Sequence, residues 1–258
     1  MKVYQMLKVR ASSSAPLFSG EDGLTDKQAE QLEGLLSKVK LTELQAEARN
    51  LLIVKRDAEP TLSAGGKTLV EEYVEQELYN FRPTFGSRET DKGNMVEDDA
   101  ISFYNDFFMT SYKKFDDTEA LSYGIYTGHP DIVSKGERKV IDIKSPWSKK
   151  TFPKTADDGK NSTYEWQVKQ YLYMLGKITG EDWRTGEIAY VLMSTPESLL
   201  NEWDDDSMHY VDDLPENFRI TIVPVELTDK DIAKFEAREK VAVKYYEEYK
   251  QVILNKNK

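Results

Sequence analysis

Residues 128–133 read Gly-His-Pro-Asp-Ile-Val, and residues 139–144 read Lys-Val-Ile-Asp-Ile-Lys. Both segments are short and β-branched, and Gly136 between them marks a turn, so the pattern predicts two neighbouring strands. Asp131 and Asp142 stand eleven positions apart. If the turn pairs the strands antiparallel, the two carboxylates converge. Side chains alternate along a strand, so Asp142 and Lys144 leave it on one side, while Ile141 and Ile143 leave it on the other, toward a core.

Two carboxylates beside an ammonium group are the parts that phosphodiester hydrolysis needs. The carboxylates hold a divalent cation that polarises the phosphoryl oxygen and helps generate hydroxide. The ammonium orients the water or offsets charge developing on phosphorus. A bare Asp-x-Lys is equally the pattern of an ordinary surface ion pair, so its surroundings decide the reading. Upstream, residues 93–100 (GNMVEDDA) open an amphipathic segment whose Ile101, Tyr104 and Phe108 are expected to face the core. Glu97 there can bring a third carboxylate to the metal. Acids at that point also suit a helix N-terminus for purely electrostatic reasons. Downstream, Gln167 and Tyr171 stand at i and i+4, one helix face, where an amide and a phenol can bind a phosphate or steer water. The same two residues also suit a half-buried helix packed on a sheet.

Outward from this centre, Leu32, Leu35, Leu36, Val39, Leu41, Leu44, Ala48, Leu51 and Leu52 recur at helical spacing, and Thr25/Gln28 and Thr42/Gln45 read as capping boxes. They predict a helical hairpin over 24–60. Helices are expected near 67–79, 92–113 and 164–178, and from Asp229 onward, where Thr228 and Asp231 mark a start. Strands are expected at 121–126, 129–134, 139–144, 188–194 and 219–227, the last on an edge or at a bulge because of Pro224. Val3, Met6, Leu7 and Val9 allow a short strand or helix at the start. The order predicts an α/β (α+β) fold, with a central mixed β-sheet flanked by helices and an N-terminal helical hairpin, in a single domain spanning 1–258.

Composition narrows the chemistry. The 258 residues contain no cysteine and two histidines, His129 and His209, which excludes disulfides, thiolate zinc sites, iron–sulfur clusters and histidine-rich metal sites. Any metal is held mainly by oxygen, which favours magnesium, manganese or calcium. There is no apolar run of membrane-spanning or signal-peptide type, so no membrane is expected and the chain reads as cytoplasmic. The net charge of −11 is unevenly spread. Between Lys135 and Lys154 seven basic residues stand against Glu137 and Asp142, whereas Leu200–Glu216 holds seven acids and no Lys or Arg. One face is expected to attract phosphate and another to repel it.

Pro-Asp followed by Asp-x-Lys on the next strand resembles the PD-(D/E)XK nuclease signature. Gln-x-x-x-Tyr on the following helix resembles the extra motif of RecB-like exonucleases. Gly-x-x-x-Glu-x-x-Ala upstream and Lys144-Ser-Pro146 downstream look most like the bacteriophage lambda-type (YqaJ-like) recombination exonucleases. The resemblance covers roughly 91–194, the catalytic core motifs. It implies a restriction-endonuclease-like core and a metal-dependent (Mg2+ or Mn2+) exonuclease acting on duplex DNA ends, 5′-to-3′. An endonuclease, restriction-like or structure-specific, and a non-catalytic DNA-binding protein remain as alternatives.

By that resemblance Asp131, Asp142, Glu97 and the Ile143 carbonyl hold the metal, Lys144 assists the attacking water, and Gln167 and Tyr171 buttress the site and contact DNA. Arg10 with Ser12 and Ser13 forms a candidate phosphate pocket, and Lys149 and Lys150 are further candidate DNA contacts. The resemblance also implies a homo-oligomer, a trimer, a single-strand annealing protein as partner, and the host cytoplasm if the chain is phage-encoded. Two departures stand out. The second acid is Asp142 where Glu is common in this branch, and the four cysteines of its iron–sulfur members are absent.

Overall fold

The computed structural model describes residues 7–20, 23–83, 86–116, 118 and 120–256. In chain order its elements are β1 (Val9–Arg10), α1 (Asp26–Leu36), α2 (Glu43–Asp57), α3 (Ala64–Tyr79), α4 (Arg88–Phe108), β2 (Leu121–Tyr123), β3 (Tyr126–Gly128), β4 (Ile132–Ser134), β5 (Lys139–Lys144), α5 (Ser162–Thr179), β6 (Thr185–Val191), α6 (Asp206–His209), β7 (Ile220–Glu226) and α7 (Asp229–Asn255). The expectation for the first ten residues lies outside the described residues as far as Met6; beyond it the chain forms β1. Two compact units result, Met1–Ala15 with Glu75–Ala233, and Pro16–Val74 with Lys234–Lys258.

The first unit is a mixed α/β structure with two sheets where one was expected. In the larger, ordered β4-β5-β6-β7, β5 runs antiparallel to β4 and parallel to β6, and β6 is antiparallel to β7. Parallel pairing needs a long crossover, and α5 is that crossover. The smaller sheet has the order β1-β3-β2. The segment read as one strand over 121–126 is broken by Gly124, whose φ of 55° turns β2 back against β3. Pro224 lies on β7, an edge strand as its missing N–H demands.

Helix α4 covers one face of the larger sheet, packing Ala100, Ile101 and Tyr104 against Ile132, Ile141, Ile143, Ala189 and Val191. Each large aliphatic side chain buried there contributes about 1.5–3 kcal/mol. Helix α5 covers the other face so closely that a Cβ on Gly186 would lie 2.5 Å from Val168. Strand β5 is therefore buried on both sides, and Val140, Ile141 and Asp142 are wholly inaccessible. Helix α4 starts earlier than expected because Ser87 caps it, and it stops at Phe108, where Met109 turns left-handed. The Asn105 side chain then binds the backbone of Tyr112, which takes 109–113 out of the helix. Phe108, expected in the core, is consequently exposed.

In the second unit both predicted capping boxes form, Thr25 with Gln28 and Thr42 with Gln45. Helices α1 and α2 pack through Leu32, Leu35 and Leu52, with Leu24, Leu41, Ala48 and Ile53 around them. Leu44, Leu51 and Val54 stay exposed. Elsewhere in this unit Arg238 is wholly buried and donates to the Thr61 carbonyl, and Tyr245 donates to Glu71. Among the described residues no helix is long and apolar enough to cross a membrane.

Candidate active site

The β4–β5 register pairs Ile132 with Ile141, so the residue before β4, Asp131, comes beside Asp142. Asp131 Oδ2 accepts a hydrogen bond from the Ile143 amide at 2.6 Å, which fixes its carboxylate against the strand. Asp142 points to the α5 side, where Gln167 Nε2 donates to its Oδ1 at 3.0 Å. The same amide nitrogen donates to the Tyr171 hydroxyl at 3.0 Å, and that hydroxyl donates to the His129 carbonyl at 2.9 Å. A chain of polar contacts thus ties α5 to the segment carrying Asp131. Gly128 permits it, since a Cβ there would lie 2.7 Å from the Tyr171 ring. Tyr171 is buried, held between Gln167 and the His129 carbonyl. The expected Tyr171–DNA contact is therefore not supported by its position.

Lys144 leaves β5 on the same side as Asp142, with Nζ 2.7 Å from Asp142 Oδ2. The charge of Lys144 acts on that carboxylate, and a side-chain hydrogen bond between the two adds to it. The Lys144 ammonium also sits 4.8 Å from the centroid of the Tyr164 ring, a cation–π contact. Tyr164 escaped the sequence reading, although its place three residues before Gln167 put it on the same helix face.

Burial, followed by the charge of Asp142, pushes the Asp131 carboxyl up to about 8, and Lys144 offsets only part of this. Burial raises Asp142 as well, against the pull of Lys144. Burial opposes the charge on Lys144, yet Asp142 and Asp131 together hold its ammonium above the ordinary lysine value. Two carboxylates whose protonation burial favours, one of them also under the charge of the other, form a pair that a cation relieves. The donors are all oxygen: Asp131, Asp142 and the Ile143 carbonyl beside them, a set that fits magnesium or manganese. Glu97 lines the same cleft and its charge is felt by Asp131. It does not join an acidic trio: its carboxylate lies 3.2 Å from Lys114 Nζ. Among the described residues no group of three His, Cys, Asp or Glu side chains is gathered to hold a metal.

The centre opens into a cleft of about 1210 Å³ in the first unit. Arg10, Ser12, Lys150 and Gln167 line it, as do Lys154, from the basic 135–154 segment, and Lys160, which the sequence reading passed over. Ser13 and Lys149 do not line the cleft. The Ser13 hydroxyl donates to the Arg10 carbonyl at 3.2 Å, and the Lys149 amide donates to the Met208 carbonyl at 2.9 Å. Acidic Glu89, Glu97 and Asp131 share the cleft with the lysines. Such a surface can receive a phosphate chain and bring one linkage to the carboxylates.

No protein-family model matches the sequence, and no curated protein matches it significantly. Solved structures do. A phage-related exonuclease from Haemophilus somnus 129PT superposes with a TM-score of 0.73 at 24% identity, covering 98% of each chain. An alkaline exonuclease from Laribacter hongkongensis superposes with a TM-score of 0.56 at 16% identity, covering 96% of this chain and 92% of that one. A structure of that exonuclease in complex with dAMP gives a TM-score of 0.54. At these identities the likeness establishes the fold over nearly the whole chain.

Proposed function

We propose that this chain is a divalent-metal-dependent DNA exonuclease that hydrolyses phosphodiester bonds at duplex ends, 5′-to-3′, in DNA processing of the phage recombination type. The observation that carries the reading is the Asp131–Asp142–Lys144 group, with Asp142 wholly buried, Lys144 Nζ 2.7 Å from it, and a cleft in front of them lined by Arg10, Lys150, Lys154 and Lys160 as well as by acids. The fold shared with structures named as exonucleases supports it. A surface ion pair would have no reason to bury a carboxylate completely, since desolvation costs several kcal/mol in such pairs.

Asp131, Asp142 and the Ile143 carbonyl would hold magnesium or manganese, with Glu97 across the cleft. When bound, the cation supplies polarisation of the phosphoryl oxygen and acidification of water. Lys144, held beside Asp142 and under the Tyr164 ring, orients the attacking water and offsets negative charge developing on phosphorus. Gln167 and Tyr171 fix the Asp142 carboxylate through their hydrogen-bond chain. Arg10, Ser12, Lys150 and Lys154 bind backbone phosphates along the cleft. The catalytic motifs occupy 91–194 of a single nuclease domain spanning the chain, and the 24–60 hairpin serves as an accessory contact for DNA, a second copy or an annealing protein. The setting is the cytoplasm.

End-labelled linear duplex and covalently closed circular DNA, each incubated with the protein and magnesium, test this reading. The linear DNA is expected to be degraded from its ends and the circle spared. Lys144→Ala is expected to lower the rate by about 10²–10³-fold, as loss of one transition-state donor does. Loss of the circle at the linear rate would point to an endonuclease. Full activity in the Lys144 variant would remove the centre from the chemistry.

A further inference from the structure

Lys92, on α4, is wholly buried, and among the described residues it forms no ion pair. Its ammonium donates to three carbonyls: Pro146 at 2.7 Å, Trp147 at 3.1 Å and Met193 at 2.7 Å. The first two belong to the loop that leaves the catalytic strand, and the third follows β6. The Trp147 carbonyl also accepts from the Thr195 hydroxyl at 2.9 Å and lies 3.2 Å from His209 Nδ1. From Ser145 to Lys154 this loop forms one wall of the cleft and presents Lys150 and Lys154 to it.

A buried ammonium with no carboxylate partner is an expensive way to fill space, and a methionine would fill it at lower cost. What the ammonium adds is geometry. Three donors on one atom bring together two chain segments that share no strand pairing and hold the backbone of the loop in one shape. The same burial brings the lysine down to about 8, which agrees with a group held by dipoles and by no counter-charge. We infer that Lys92 is a positioning residue that shapes the 145–154 wall for the DNA backbone, setting substrate affinity and leaving the hydrolytic step to Asp131, Asp142 and Lys144. This inference rests on the nuclease reading for its substrate, but its structural half does not.

The test compares wild type with Lys92→Met in three measurements: thermal melting, steady-state hydrolysis of end-labelled linear duplex with magnesium, and backbone amide exchange followed peptide by peptide. Expected are a variant that still melts cooperatively, a KM raised about tenfold with kcat within about twofold, and faster exchange confined to 145–154. An unchanged KM in the folded variant, a fall in kcat at constant KM, or exchange accelerated throughout the first unit would each overturn it. Should Lys92→Met fail to fold, Thr195→Val removes another donor from the Trp147 carbonyl and is expected to raise KM about threefold; no change there overturns the inference equally. Should the wild type hydrolyse no DNA, the nuclease reading falls, and exchange over 145–154 together with binding of a fluorescent duplex end in magnesium-free buffer still decides the role of Lys92.

Discussion

In β5 a carboxylate, Asp142, sits at 0% exposure with Lys144 against it, while in the α1–α2 hairpin Leu44 and Leu51 stand 78% and 65% exposed. One region places charge where water is absent and the other leaves apolar surface where water is present. Both cost stability, for different reasons. Buried charge is tolerated when it is paired and held in place: Lys144 lies against Asp142, Gln167 donates to it, and Tyr171 fixes Gln167. The hairpin has no such network. Its few buried leucines hold two helices together, and capping boxes secure their starts. The first region is the proposed centre, whereas the second reads as a small scaffold with an outward apolar side.

The contrast can be broken most directly at its strongest point. Asp142→Asn keeps the shape and the Gln167 neighbour but removes the charge that pairs Lys144; hydrolysis of linear duplex is expected to fall by about 10²–10³-fold. A variant that keeps its rate would make Asp142 a structural residue like those of the hairpin. In the hairpin, Leu52→Ala is expected to lower stability by about 2–3 kcal/mol, read as earlier proteolysis within 24–60. Equal resistance in mutant and wild type would show that the hairpin core is not what holds the two helices.

Thr42→Ala removes one half of a capping box and is expected to cost about 1 kcal/mol by urea denaturation. A smaller effect than for Leu52 would mean that apolar packing holds the hairpin more firmly than its caps do, and the reverse order would assign the hairpin to its caps. The weakest effect concerns pH. Lys92 is brought to about 8 in the folded protein, below the ordinary lysine value. Between that pH and the ordinary lysine pKa the unfolded chain binds a proton that the folded one does not, so stability from this group rises with pH across the interval. Below it, the cost of burying the charge is present in full. Urea midpoints measured from pH 7.5 to 10 are expected to climb in wild type relative to Lys92→Met, and parallel curves would show that Lys92 titrates normally.

Much of this was legible in the residues themselves. Helical spacing and capping pairs located α1 and α2, and Thr228 with Asp231 marked the start of α7. The alternation along 139–144 separated Ile141 and Ile143 from Asp142 and Lys144, because a strand can place neighbours only on opposite faces. The end of α4 was misread because its stop is made by Asn105 binding Tyr112, a contact over seven residues that periodicity does not register. Tyr164 and Lys160 were missed at the cleft because they come together only when α5 and the preceding loop fold over β5.

By itself the sequence picked out the candidate centre: two aspartates and a lysine at or beside neighbouring strands, with no cysteine and only two histidines to offer other metal ligands. Its reason is local, since turn residues, strand alternation and the absence of cysteine act over a few positions. Only the tertiary structure decided that Asp142 is wholly buried, that Gln167 holds it, that Glu97 pairs with Lys114 in place of joining the aspartates, and that Lys92 reaches Pro146, Trp147 and Met193. Those are distances between segments far apart in the chain, fixed by the packing of α4 and α5 on opposite faces of one sheet.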